Sequence, residues 1–239
     1  MVALVPHLTR LMAGIPIPNT HLINSSIALA RANLPEHTYN HVMRSWLNGQ
    51  AIINHLPAAN RSKIDVEAYG VAAILHDMGF AWNASFVSAD KIFEVDGANA
   101  ARALIRQQGG KEWTEARIQL VWDAIALHGF TEVARYKETE VLLTCAGTFT
   151  ELVGPEVSKA SFGDLITVNE TEYAAIEAAF PSHKLLTTIR EDLVELCRIK
   201  PATTYTTFVG DWGEKYLPGY TRVGHRSVDL LEAIVRDYP

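Results

Sequence analysis

Residues 64–79, Ile64-Asp65-Val66-Glu67-Ala68-Tyr69-Gly70-Val71-Ala72-Ala73-Ile74-Leu75-His76-Asp77-Met78-Gly79, are apolar almost throughout and end on a histidine–aspartate pair. Val66, Tyr69, Ala73 and Ile74 fall on one face at helical spacing, so the stretch predicts a helix over about 64–77 that stops near Gly79. An imidazole beside a carboxylate at the edge of a core is costly unless something pairs with both, and a divalent metal does so well. The dipeptide alone carries little information, because a capped helix end without metal explains it equally. Its neighbours must decide.

Working outward, the same helical periodicity dominates and strand-like alternation is scarce, which predicts an all-α protein. Asn19 or Thr20 caps a first helix to about Asn33, and a second covers about His37 to His55, ended by Pro57. Residues 80–93 read as an irregular loop. A helix from about Asp96 ends at Gly109-Gly110, and others cover Glu115 to His128 and Glu138 to Val153. The last of these is nearly apolar through its middle and is expected to be buried at the centre, stopped by Gly154-Pro155. Helices near Glu170–Ala179, His183–Arg198 and His225–Asp237 follow, with 201–220 expected as a long ordered loop. No repeat or linker is visible, so a single domain over 1–239 is expected, with 1–35 as an N-terminal helical extension and 201–239 as a C-terminal loop and helix.

Bulk composition narrows the function classes. Of the 239 residues, 48% are hydrophobic and 20% charged, an ordinary globular balance, and the net charge of −6 has no basic run to concentrate on phosphate. Nucleic acid is therefore disfavoured as a partner, and a small-molecule substrate fits better. The two cysteines, Cys145 and Cys197, sit in apolar helical stretches and do not describe a disulfide scaffold. The first eighteen residues lack the pattern of a secretory leader, and no run is long and apolar enough for a membrane span. A cytoplasmic protein without membrane association is expected, with homo-oligomerisation left open.

The histidine–aspartate pair has company. Upstream stands Asn40-His41-Val42-Met43-Arg44 followed by Gly49, and downstream Phe93-Glu94-Val95-Asp96-Gly97-Ala98 and Ala124-Ile125-Ala126-Leu127-His128. Last comes Gly147-Thr148-Phe149-Thr150-Glu151-Leu152-Val153-Gly154. This order resembles the HD superfamily of metal-dependent hydrolases, and within it the cyanamide hydratase-like branch of fungi and bacteria. That branch carries N-H-S-x-R-x-x-x-x-G, H-D-[ILM]-G, F-E-x-x-G-A, A-I-A-L-H and G-T-x-x-D-N-V-G blocks, and the resemblance covers about residues 15–220.

The resemblance implies an HD-domain helical bundle and one divalent metal, zinc first and ferrous iron as the alternative, ligated by His41, His76, Asp77 and Glu151. One departure stands out: Glu151 and Leu152 replace the Asp and Asn of the family block. Glu151 is expected to ligate in a slightly shifted geometry; ligation through water and a weakened site are the alternatives. Catalytic roles fall to Asp77, Glu94 and His128. Arg44 either pairs with a ligand carboxylate or faces solvent. Trp82, Phe86 and Phe93 either wall a small pocket or simply pack the core, and His128 is either a pocket residue or a hydrogen-bonded core histidine.

The implied activity is hydro-lyase chemistry, in which metal-bound hydroxide hydrates cyanamide or a small nitrile-like substrate to a urea or amide. Between Asp77 and Glu151 only His128 offers a further imidazole, so a two-metal phosphodiesterase is disfavoured. Phe80 stands where many signalling members carry Lys. Two alternatives remain: a mononuclear HD phosphohydrolase acting on a nucleotide, and a catalytically silent HD domain used for binding.

Overall fold

The computed structural model describes residues 8–235. Among them are thirteen α-helices and one small hairpin. The fold is all-α. None of these helices is long and apolar enough to cross a membrane. Where the sequence showed no linker, contacts divide the chain into two compact units: one runs to Val87 and resumes over Phe93–His183, and the other joins Ser88–Ile92 to the chain from Lys184.

The first unit opens with a hairpin, β1 (Thr9–Met12) antiparallel to β2 (Ile15–Pro18), where a helical extension was expected. Ala13 and Gly14 both have positive φ, +49° and +78°, the geometry of a tight two-residue hairpin turn. Two prolines in the four residues of β2 hide the strand from a propensity reading, because proline cannot donate to a ladder; a two-stranded hairpin leaves an edge where those missing donors cost nothing. Ile15 and Ile17 point inward and are buried.

Helix α1 (His21–Asn33) is capped by the Thr20 hydroxyl, which accepts from Ile23 N. Helix α2 (Glu36–His55) follows, then short α3 (Ala58–Arg61), α4 (Val66–Leu75), α5 (Phe93–Gln108), α6 (Glu115–Ala126), short α7 (Thr131–Ala134) and α8 (Thr139–Val153). Gly154 and Pro155 end α8, as the sequence indicates, but Pro155 at once begins α9 (Pro155–Phe162), and α10 (Glu170–Ala179) completes the unit. The core lies where α2, α4 and α8 meet, filled by Trp46, Leu47, Ile52, Tyr69, Ile74 and Leu75. Helix α2 is buried at every position from Thr38 to Ile53, polar ones included. Such a helix must find internal partners for Asn40, His41, Arg44 and Asn48.

Both ends of α4 are fixed. Asp65 caps its start by accepting from Ala68 N, and the Asp65 N–H donates to Glu140 of α8 at 2.6 Å. Arg117 of α6 forks onto Asp65 and reaches Glu67 at 2.8 Å, its guanidinium lying 3.7 Å from the Trp113 ring centre. The far end delivers His76 and Asp77.

The second unit contains α11 (Leu185–Ile199), α12 (Val209–Tyr216) and α13 (Ser227–Val235). The last turn expected to reach Asp237 lies outside the described residues. Helix α12 and a 3-10 turn at Pro201–Thr203 break the long loop expected over 201–220. Its glycines conceal the helix; Gly213 is needed there because a Cβ would stand 2.6–2.7 Å from the Tyr220 ring and the Cys197 sulfur. Lys200 of this unit is buried and donates to the Ser88 and Lys91 carbonyls.

The α2–α8 crossing depends on Gly147. A Cβ there would sit 2.5 Å from Ser45 O and 3.2–3.3 Å from the Gly49 backbone, and these atoms cannot yield singly. Helix propensity alone would make Gly147→Ala stabilising by about 1 kcal/mol. Overpacking against a backbone reverses the sign, so a net loss of about 1–3 kcal/mol is expected in urea unfolding followed by circular dichroism. A stabilised Gly147→Ala protein would contradict this packing.

Candidate metal centre

Three elements of the first unit bring donors to one point. His41 lies in the first half of α2, His76 caps the end of α4, and Asp77 begins the turn beyond it. The chain turns sharply there because Gly79 packs on the backbone of Phe93, where a Cβ would collide with the Phe93 carbonyl. The start of α5 is thereby held against the His76–Asp77 turn.

His41 Nε2 and His76 Nε2 are 3.2 Å apart, and Asp77 Oδ2 lies 3.4 Å from the first and 3.5 Å from the second. All three residues are buried. The other ring nitrogens settle what these atoms offer. His76 Nδ1 is 2.8 Å from the Ala73 carbonyl, which only accepts, so Nδ1 carries a proton and Nε2 of the neutral ring carries a lone pair. His41 Nδ1 is 2.6 Å from the Glu151 carboxylate and is committed in the same way. Two imidazole lone pairs and a carboxylate oxygen therefore face one another out of water, an arrangement that requires a proton or a cation among them. Four donors at about 2.0–2.1 Å around a tetrahedral ion stand roughly 3.4 Å from each other, and the observed separations match that edge. The cluster can hold a metal ion.

Burial sets the charges. It lowers the His76 imidazole to a pKa of about 3, helped by His41, and lowers His128 to about 4, helped by His76. Both rings are neutral at neutral pH, as ligands or proton acceptors need to be. Burial also acts to lower His41, but Glu151 and Asp77 outweigh it and the net shift is upward. Burial pushes Glu151 upward, while His41 and Arg44 together hold it below its ordinary value.

The structure places the remaining candidates as follows. His128 donates Nδ1–H to the Ile125 carbonyl at 2.7 Å and turns Nε2 toward Asp77 Oδ1, 3.7 Å away, with its ring 4.6 Å from that of His76. Asp77 thus presents one oxygen to the His41–His76 pair and the other to His128. Glu94 is fully buried in the first turn of α5, where the positive end of the helix dipole favours its charge. Phe93 is buried against Phe80 at 4.6 Å and His128 at 5.8 Å, and Trp82 meets Phe80 at 5.6 Å. Phe86 is half-buried in the irregular segment. Phe80 joins this aromatic cluster, although its sequence signal was only its place directly after the H-D-x-G motif.

Glu151 was expected among the ligands, yet its carboxylate meets the δ nitrogen of His41 on the far edge of the ring from the cluster. The other oxygen accepts from Arg44 Nε at 2.7 Å and from Arg44 Nη2. Both carboxylate oxygens are thereby occupied. Arg44 itself is gripped from the far side by the Phe180 carbonyl at 2.7 Å, with Glu177 at 3.7 Å. Comparison with protein-family models and with curated proteins gives no match.

The histidine shifts give a pH signature in chelator-treated protein. An unfolded chain takes up protons at His76 and His128 near pH 6.5, whereas the folded one resists until about 3 and 4. Their contribution to stability is therefore complete above 6.5 and is lost as pH falls, on the order of 2 kcal/mol apiece by pH 5. His41, shifted the other way, is already fully favourable below 6.5 and does not mask this loss. Thermal unfolding should show a falling midpoint from pH 6.5 to 4.5, with a shallower slope in His128→Asn. A flat profile in the parent protein would contradict the buried neutral rings.

Proposed function

We propose that this chain is a metal-dependent enzyme that hydrates a small nitrile such as cyanamide. The observation that carries the reading is the convergence of His41 Nε2, His76 Nε2 and Asp77 Oδ2, with both δ nitrogens tied back. Two imidazoles and one carboxylate suit zinc, with ferrous iron as the alternative, and three protein donors leave a position for chemistry. A divalent cation held there supplies Lewis acidity and brings water's pKa toward neutrality.

The chain's own groups do the rest. Hydration adds a water oxygen to the nitrile carbon and moves one of the water protons to the nitrile nitrogen; tautomerisation of the product gives urea from cyanamide. Neutral His128, its Nδ1–H held by Ile125, offers Nε2 as the atom that takes and returns that proton beside Asp77 Oδ1. Phe80, Phe93 and Trp82 provide an apolar flank next to His128, which suits a small uncharged molecule. Arg44, the basic side chain that reaches the site, is consumed by Glu151 and Phe180, which disfavours a phosphate ester as substrate. The motif order and spacing seen in the sequence support the same reading.

The test is a substrate screen on protein loaded with one equivalent of zinc, with cyanamide, short aliphatic nitriles and nucleoside monophosphates side by side. Urea from cyanamide is expected, with no phosphate release, and His76→Ala should abolish both metal retention and turnover while keeping most helicity. Phosphate release without urea would replace the proposal with a mononuclear phosphohydrolase, and inactivity of the zinc-loaded protein towards every substrate would favour a silent binding domain.

A further inference from the structure

We propose that Glu151, held by Arg44, is a positioning residue that fixes His41 as the Nδ1–H tautomer and so keeps its Nε2 lone pair aimed into the cluster. This rests on the cation-site reading above. A buried imidazole has two neutral tautomers, and only one presents Nε2 as a donor to a cation. For His76 and His128 the choice is made by backbone carbonyls of their own helical turns, Ala73 and Ile125. His41 sits inside α2, where the carbonyls of the preceding turn are taken up by the helix itself. Its δ nitrogen takes its acceptor from another helix, and Glu151 of α8 is that acceptor at 2.6 Å.

The carboxylate cannot turn away. Arg44, one turn beyond His41 on α2, holds the second oxygen through two guanidinium nitrogens, while the Phe180 carbonyl just beyond α10 holds the remaining edge of the fork. Asn40 fastens the same segment by donating to the Pro181 carbonyl at 3.1 Å. A chain of contacts thus runs from the end of α10 through Arg44 and Glu151 to His41, and its last link sets which ring nitrogen is free.

This arrangement makes an outcome for Glu151→Gln that a direct ligand would not share. Arg44 has only donors, so it takes the amide oxygen of the new side chain and leaves the amide NH2 facing His41 Nδ1. His41 must then accept at Nδ1 and protonate Nε2, which blocks the donor atom. Adding Arg44→Met frees the amide to turn its oxygen to His41 and restores the original tautomer.

The experiment reads the 15N shifts of the His41 ring in metal-free protein at alkaline pH, where the ring is neutral, and zinc affinity by competition with a chromogenic chelator. It compares the parent, Glu151→Gln, and Glu151→Gln with Arg44→Met, with helicity checked in each. Expected are an Nδ1–H ring in the parent, an Nε2–H ring with zinc affinity lower by about 10–100-fold in Glu151→Gln, and recovery of tautomer and part of the affinity in the double variant. An unchanged tautomer in Glu151→Gln, or an affinity loss that Arg44→Met leaves in place, would overturn the proposal. Zinc binding by the parent tests the cation site itself, whereas the tautomer of metal-free protein tests Glu151 alone, so the two failures are distinguishable.

Discussion

Two imidazole Nε2 atoms and a carboxylate oxygen, 3.2–3.5 Å apart and shielded from water, are the constraint around which the first unit is arranged. Left to themselves they repel, and burial removes the solvent that would otherwise relieve them. The protein accepts this cost at one point and supports it from several directions. Each ring nitrogen pointing away from the cluster has a fixed acceptor, so no ring can flip without losing a buried hydrogen bond. A metal ion held there would turn the same three atoms from a liability into a binding site.

The surrounding helices make the arrangement rigid. Arg117 and Glu140 fasten the start of α4, and the Gly79 contact with Phe93 fixes the turn beyond its end, so His76 and Asp77 are held from both sides. Close approach of α8 to α2 at Gly147 brings Glu151 within reach of His41 one turn further along. The buried polar residues of α2 follow from the same demand: His41 serves the cluster, Arg44 serves Glu151, and Asn40 and Asn48 tie the helix to its neighbours and to itself. Stability and site geometry are therefore coupled, and substitutions at the α2–α8 crossing should disturb both.

Much of this was legible in the chain. Helical periodicity, with prolines, glycines and capping residues as stops, located α1, α2, α4, α5, α6, α8, α10 and α11 to within a few residues. The His76–Asp77 pair stood out because an imidazole beside a carboxylate at the end of an apolar helix demands a partner, whereas His41 stood out only through the order of motifs that carries the family resemblance. The direction of the Glu151 carboxylate was not legible, since it is set by where His41 and Arg44 of another helix meet it, and sequence carries no such distance. The hairpin was hidden by Pro16 and Pro18, α12 by glycines whose role is close packing, and the division into two units by a short segment, 88–92, that has no linker composition. These features arise from contacts between distant residues, which local pattern does not record.

The most direct measurement of the central claim is anomalous diffraction at the zinc absorption edge from crystals of the protein grown with one equivalent of zinc. One strong peak is expected within about 2.0–2.2 Å of His41 Nε2, His76 Nε2 and an oxygen of Asp77, with Glu151 still on His41 Nδ1 and Arg44. No peak between the two imidazoles, with both rings keeping their present hydrogen bonds, would contradict the account.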